Sequence, residues 1–455
     1  MELEIQFVDP VLLRASDHSL LLPVLFHRES RRRLIDGRKQ EVLVKEYEIK
    51  PSGEFLAGHL PRVRSYCEQA GIALREVGFP DPYQFRKTPK AAIPLRPHQV
   101  DLVAKSLADS RGVIVSPTGS GKTVIFLALA CYVVGKTLVL VPTKSLLRQI
   151  RKEAKDWGLP EPTIVDANSK DLSGEIVVGT VQSFANLSPE TYCDLFDCVL
   201  IDEAHHVSSN KLKSYYYRIL STLLAEVRFG FTATTYRPDS QQFRAMEGLI
   251  GPVIGEFTLE DAEEKGIVVR PNIVLVPVPL NPVVKTVRTY RDIYDLGVVN
   301  YRLRNRKIVE IIRDLSAQGK SSVTYVREIE HGRNIVDIGR RMGLEMPFIY
   351  QATSAEDREQ YREALHRKEL LSIVASNVWK EGINIKSLDA IILGAGGRGE
   401  LALLQTIGRG VRKHEGKEEV RIYDFLDIGN YISTHTVERM GLYIDRGWPI
   451  FGFTR

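Results

Sequence analysis

Cysteine is scarce in this chain of 455 residues, and its four copies, Cys67, Cys131, Cys193 and Cys198, are poorly spaced for metal or disulfide chemistry. None forms a Cys-x-x-Cys pair and no His-x-x-x-His accompanies them, so neither a zinc site nor a disulfide framework is expected, and a reducing compartment fits. Long apolar runs are also missing. The longest unbroken one, Val124 to Val134, falls well short of the roughly 20 residues that span a bilayer, so it reads as a buried helix and no membrane partner is expected. Met1-Glu-Leu-Glu4 is acidic where a signal peptide would be basic, which points to the cytoplasm. No repeat of fixed period and no low-complexity segment occurs. A large excess of one charge is absent too: 62 Lys and Arg face 57 Asp and Glu, a net charge of +5. That mild basicity is compatible with nucleic acid without demonstrating it.

What remains has the proportions of a globular protein, with 44% hydrophobic and 26% charged residues. The length implies two or three domains. Residues 1–90 carry short alternating segments such as Glu41–Ile49, a turn at Pro51-Ser-Gly53 and a helix near Leu60 to Ala70, the pattern of a small α+β unit. Pro80, Pro82, Pro89 and Pro94 then mark a linker. Residues 91–260 read as α/β, with apolar strand runs at Val113–Val115, Leu138–Val141, Ile176–Val178, Val199–Ile201 and Arg228–Phe231. Residues 261–430 hold a second such block, with strands at Ser322–Val326, Ile373–Ala375, Ala390–Leu393 and Val420–Tyr423. Apolar runs alternating with helices indicate parallel sheets. The stretch Val268–Pro282 has strand character but no clear place. Residues 431–455 form a tail with a helix near Thr434 to Tyr443.

Ser116-Pro-Thr-Gly-Ser-Gly-Lys-Thr123 is the most informative segment. It joins the apolar run Gly112–Val115 to the apolar helix that follows. A glycine-rich strand-to-helix turn aims backbone N–H groups at a phosphate chain, at the positive end of a helix dipole. Pro117, Thr118, Gly119, Ser120 and Gly121 would line the nucleotide. Lys122 would reach the outer phosphates and Thr123 would place its hydroxyl on Mg²⁺. The usual pattern opens with Gly; Ser116 reads as a tolerated small residue.

Further on, the strand Val199-Leu-Ile ends in Asp202-Glu203-Ala-His205. Asp202 can hold Mg²⁺ through water, and Glu203 can act as general base on the attacking water. Gln405, Arg409 and Arg412 lie three and four apart and so share a helix face, where two guanidiniums could neutralise a transferring phosphoryl group.

In order, these motifs resemble those of superfamily 2 helicases and translocases from about Arg96 to Arg412. The resemblance implies two tandem RecA-like parallel-sheet domains preceded by the small α+β domain, with ATP and Mg²⁺ as cofactors. Arg96-Pro-His-Gln99 resembles the adenine-side element, implying nucleotide-binding roles for Arg96 and Gln99. Thr143-Lys144, Thr180 and Gln182 resemble first-domain contacts to a nucleic-acid backbone. His205, with Thr232-Ala-Thr234, resembles the elements coupling hydrolysis to motion. Val374–Asn384 resembles a second-domain motif, with Ser376 on the strand and Gly382 on the nucleotide, although Asn384 stands where Asp is usual. Gln405–Arg412 resembles the arginine-finger motif. Arg327 is a further candidate nucleic-acid contact.

Tyr301-x-x-x-Asn305-Arg306 and the compact length resemble the XPB-like group, and within it phage branch-migration helicases of the UvsW type. The implied work is remodelling of branched or forked DNA during replication, recombination and repair; the sequence does not give the oligomeric state, and a monomer is favoured. An RNA helicase or a double-strand DNA translocase subunit would share most of the motifs. Gly394-Ala-Gly396-Gly-Arg-Gly399 matches a dinucleotide-binding pattern, but it opens no βαβ unit with an acid about twenty residues on, so it reads as a loop feeding the finger helix. Arg31-Arg-Arg33 reads equally as a grip on duplex or as a solvated charge run.

Overall fold

The computed structural model describes residues 1–35, 38–117, 119–207, 214–233, 236, 238, 240–376, 388–397, 407 and 419–452, with side chains omitted at 28–43 and 355. The chain forms two compact units, Met1–Thr258 and Leu259–Arg455.

The first unit opens with a mixed sheet of four strands in the order Glu54–Leu56, Leu12–Ala15, Glu2–Phe7, Ala73–Val77. Glu2–Phe7 is parallel to Ala73–Val77 and antiparallel to Leu12–Ala15. Leu3, Ile5, Leu13 and Phe55 alternate onto one face and bury against Val63 and Cys67 of the helix Leu60–Ala70. That helix stops where Gly71 takes a left-handed conformation at φ 66°. The alternating segment noted in the sequence is one arm of a two-stranded hairpin, Phe26–Ile35 with Arg38–Tyr47.

The rest of this unit is a seven-stranded sheet ordered Val253–Glu256, Arg111–Val115, Val227–Thr232, Cys198–Asp202, Thr137–Val141, Ile176–Thr180, Thr163–Val165. Every neighbouring pair is parallel. Its four strands Thr137–Val141, Ile176–Thr180, Cys198–Asp202 and Val227–Thr232 are buried at every residue, which is why the sequence shows apolar runs and not alternation.

The second unit holds another parallel sheet of seven strands, ordered Phe348–Ile349, Ser372–Ala375, Ser322–Tyr325, Ala390–Ile392, Val420–Leu426, Pro271–Pro277, Ile450–Gly452. The two units are therefore RecA-like α/β domains, the first carrying the small α+β domain at its amino end. The unplaced stretch resolves as the strand Pro271–Pro277, paired with Val420–Leu426 throughout. Its prolines stand at the strand's two ends, where a missing N–H is tolerated. The helix expected near Thr434 to Tyr443 runs from Ile432 to Asp445. No helix among the described residues is long and apolar enough to cross a membrane.

The proline-punctuated segment is less free than its composition suggests. The backbone N–H groups of Arg86 and Lys90 donate to Tyr132 and Cys131 carbonyls at 2.8 and 3.0 Å. Tyr83 Oη donates to Val134 O at 2.6 Å. These bonds satisfy carbonyls at the end of the helix Lys122–Tyr132.

The small domain is fastened to the sheet behind it by buried charge. Glu247, on the helix Gln241–Leu249, accepts from His59 Nδ1 at 3.2 Å, Arg62 Nε and Nη2 at 3.0 and 2.8 Å, and Arg244 Nη1 at 3.1 Å. Burial pushes the Glu247 carboxyl up, but the hydrogen bonds and charges of His59 and Arg62 outweigh it and hold its pKa at about 2, against an ordinary 4.5. The backbones meet closely here: a Cβ on Gly58 would lie 2.0 Å from the Glu247 carbonyl. Arg111 adds a tie, bonding Ile250 O at 2.9 Å and Pro10 O at 3.1 Å.

Candidate nucleotide site and nucleic-acid face

The phosphate loop leaves the carboxyl end of Arg111–Val115 and enters the helix Lys122–Tyr132. Gly119 and Gly121 take φ of 92° and 89°, a region that a side chain disfavours. At Gly121 a Cβ would also lie 2.4 Å from the Gln99 amide. Lys122 Nζ donates to Ser116 O at 3.0 Å and Pro117 O at 3.4 Å, so the ammonium curls over its own loop.

Ser116 does more than fit. It is fully buried, and its hydroxyl bonds that of Ser120 at 2.6 Å, which in turn donates to Pro117 O at 2.8 Å. The serine that departs from the glycine pattern therefore braces the loop from inside.

Gln99 is 3% exposed, with its Oε1 accepting from Arg96 N at 2.8 Å and its Nε2 donating to Ser120 O at 3.0 Å. His98 Nε2 reaches the same carbonyl at 3.0 Å, while its ring stacks on Phe257 with centroids 4.1 Å apart. The element expected beside adenine thus also props up the phosphate loop. The sequence reading passed over His98; its only signal was its position between Arg96 and Gln99.

Asp202 ends the strand Cys198–Asp202 and is 6% exposed. Burial first, and the neighbouring Glu203 charge second, push its pKa up to about 7, with Lys122 opposing. Glu203 follows with a left-handed φ of 51°. Its Oε2 makes no hydrogen bond among the described residues and lies 3.3 Å from His205 Nδ1. His205 Nδ1 is 3.0 Å from the hydroxyl of Thr232, at the end of the adjacent strand. Burial holds the His205 pKa down at about 4, so its imidazole is neutral near pH 7 and can donate from Nδ1. His205 thus bonds Thr232 while lying beside the Glu203 carboxylate.

Thr143 caps the helix Lys144–Asp156 by accepting from Leu146 N, and Thr180 caps Val181–Phe184 by accepting from Ser183 N. Both stand at carboxyl ends of neighbouring strands, with Lys144 and Gln182 exposed beside them. In the second unit, exposed Arg327 and 4%-exposed Ser376 follow the neighbouring strands Ser322–Tyr325 and Ser372–Ala375. Thr118, Thr234, Gly382, Gln405, Arg409 and Arg412 lie outside the described residues.

Residues 92–237 match the family described as type III restriction enzyme, res subunit, and residues 304–414 match the helicase conserved C-terminal domain. The ATP-dependent DNA helicase uvsW of Enterobacteria phage T4 is 24% identical over 385 residues, covering 77% of this chain and 76% of the relative. The DNA 3'-5' translocase XPB2 of Sulfurisphaera tokodaii is 26% identical over 361 residues, covering 72% of this chain and 80% of the relative. In fold, a putative HsdR subunit of a type I restriction enzyme from Vibrio vulnificus YJ016 superposes with a TM-score of 0.59 at 16% identity, covering 96% of this chain and 81% of that one. With a phosphate loop and an acid pair at the carboxyl ends of strands in one sheet of the first RecA-like domain, and a helicase C-terminal domain in the second, the chain belongs to the superfamily 2 helicases and is an ATP-dependent helicase.

Proposed function

We propose that this helicase acts on DNA, and that its work is the remodelling of forks and four-way junctions. The observation that carries the reading is where the small domain's hairpin is rooted. Its strand Phe26–Ile35 packs against the helix Gln241–Leu249, the first helix after the Thr232 segment. The hairpin's sequence holds Arg28, Arg31, Arg32, Arg33, Arg38, Lys39 and Lys45. A basic ribbon fixed to the motor next to its coupling segment suits a second duplex arm. The DNA helicase and translocase relatives support the choice of DNA.

In this reading Lys122 neutralises the outer phosphates and Glu203 takes the proton of the attacking water. A divalent cation fits the residues present: Asp202 is a buried carboxylate without a full positive partner, and Glu203 Oε2 lacks a hydrogen bond. Thr123 and Asp202 would hold Mg²⁺, largely through water, and the ion would supply charge neutralisation. Arg96 and Gln99 bind on the adenine side and Gly382 on the nucleotide. Gln405, Arg409 and Arg412 supply positive charge to the transferring phosphoryl group. Thr143, Lys144, Thr180, Gln182, Arg327 and Ser376 track the DNA backbone, and His205, Thr232 and Thr234 couple hydrolysis to movement. The protein works as a monomer in the cytoplasm, the host's if phage-encoded.

The test is an unwinding assay over forks, four-way junctions, tailed duplexes and RNA duplexes, with Lys122→Ala as control. Forks and junctions should be resolved faster than tailed duplexes, and Lys122→Ala should abolish all activity. Stimulation and unwinding by RNA alone would overturn the DNA reading.

A further inference from the structure

The glycine loop set aside in the sequence as a dinucleotide motif is held in place by three buried side chains. It follows the strand Ala390–Ile392 at its carboxyl end. Arg304 Nη1 donates to Gly394 O at 2.8 Å, Tyr294 Oη to Ala395 O at 2.7 Å, and Arg439 Nη1 to Gly397 O at 2.8 Å. The three donors come from three helices, Arg302–Ala317, Tyr290–Tyr294 and Ile432–Asp445. Their exposures are 0, 6 and 6%.

Each guanidinium is itself fixed. Arg304 forks onto Asp427 at 2.7 and 3.2 Å and lies 4.5 Å above the Phe425 ring. Arg439 Nε bonds Asp424 at 2.8 Å, and Tyr443 Oη bonds the same oxygen at 2.8 Å. Gly396 and Gly397 take φ of 55° and 91°, and a Cβ on Gly396 would lie 2.9 Å from Asp427 Oδ2.

Stability alone is a poor explanation for this arrangement. Buried ion pairs are often replaced by apolar residues with no loss of stability, because desolvation offsets their attraction. What the two pairs and the tyrosine do together is remove freedom from four residues of backbone. Those residues are the last before the stretch of chain that carries Gln405, Arg409 and Arg412.

We propose that Arg304, Arg439 and Tyr294 are positioning residues for ATP hydrolysis. They fix the carbonyls of Gly394, Ala395 and Gly397 and so set the point from which the finger segment departs. The inference rests on the charge-neutralising role proposed above for Arg409 and Arg412. Misplacing a catalytic group by about 1 Å can cost about 10²-fold in rate.

The experiment measures DNA-stimulated ATPase kinetics and thermal melting on the full chain. Tyr294→Phe keeps the ring and loses only the bond to Ala395. Its kcat should fall about fivefold or more, as one lost hydrogen bond allows, with KM for ATP unchanged. Arg304→Met with Asp427→Leu removes both charges together, and its kcat should fall about 10²-fold. If that pair unfolds, Tyr294→Phe alone decides. The decisive readout is non-additivity: in an Arg409→Ala background, Tyr294→Phe should have no further effect, whereas a general structural defect would add. Wild-type kcat in Tyr294→Phe, or additivity with Arg409→Ala, overturns the anchoring inference alone. Wild-type turnover in Arg409→Ala itself overturns the finger role, and the inference with it.

Discussion

Replacing Glu247 with Gln should loosen the small domain from the first motor domain, and the loosening should fade in acid. Glu247 is 6% exposed at its side chain and receives four hydrogen bonds from His59, Arg62 and Arg244. Its pKa falls from 4.5 to about 2 on folding. At about 1.4 kcal/mol per pH unit, that difference stabilises the folded state by ~3 kcal/mol near neutrality. The folded-state pKa is depressed, so this stability is fully present above the unfolded value and is lost as pH falls through the folded one. At pH 3 roughly half or less should remain. Arg62 is 29% exposed and can return to water, whereas Arg244 is 8% exposed and cannot, so Arg244 bears the loss. Hydrogen–deuterium exchange on the full chain reads this locally. In Glu247→Gln, peptides covering Leu60–Ala70 and Gln241–Leu249 should exchange about 10²-fold faster at pH 7 after correction for intrinsic rates. The difference from wild type should shrink steadily between pH 5 and pH 3. A difference that stays constant across that range would refute the electrostatic account and leave only a packing defect.

Ser116→Ala removes the hydroxyl pair inside the phosphate loop, and it should raise KM for ATP by about fivefold with the fold intact, as one buried hydrogen bond of ~1 kcal/mol allows. Gly121→Ala forces a side chain into φ 89° and against the Gln99 amide, so nucleotide binding measured by calorimetry should drop by at least about 10-fold. Lys144→Ala should weaken DNA binding uniformly across sequences and lower the slope of log K against log salt by about 1; an unchanged slope would remove Lys144 from the phosphate contacts.

The motor's sheets were legible because strands buried on both faces are apolar through their middles, as Val199–Ile201 and Leu138–Val141 are. The phosphate loop was legible because its chemistry is local. The strand Pro271–Pro277 was obscured by the prolines at its ends, which tertiary pairing tolerates. Glu247 and His59 stand 188 residues apart and left no periodic trace. The bracing role of Ser116 was equally hidden, since a pattern scores residue type and not the hydroxyl it meets at Ser120. Likewise Gly394–Gly397 showed its glycines in the sequence but not the three donors that grip its carbonyls.

The closeness of Gly58 to Glu247, and of Gly248 to His59, bears on how this protein can be dissected. A fragment cut at the proline segment would look like a minimal helicase core. It would instead be a wounded one. Glu247 would lose His59 and Arg62, Arg111 would lose the Pro10 carbonyl, and the wall that Gly58 approaches to within a missing methyl group would face water. Poor activity in such a truncation would therefore report damage to the motor as readily as the loss of a DNA-gripping arm. Substitutions on the hairpin, which keep His59, Arg62 and Pro10 in the chain, are the cleaner instrument.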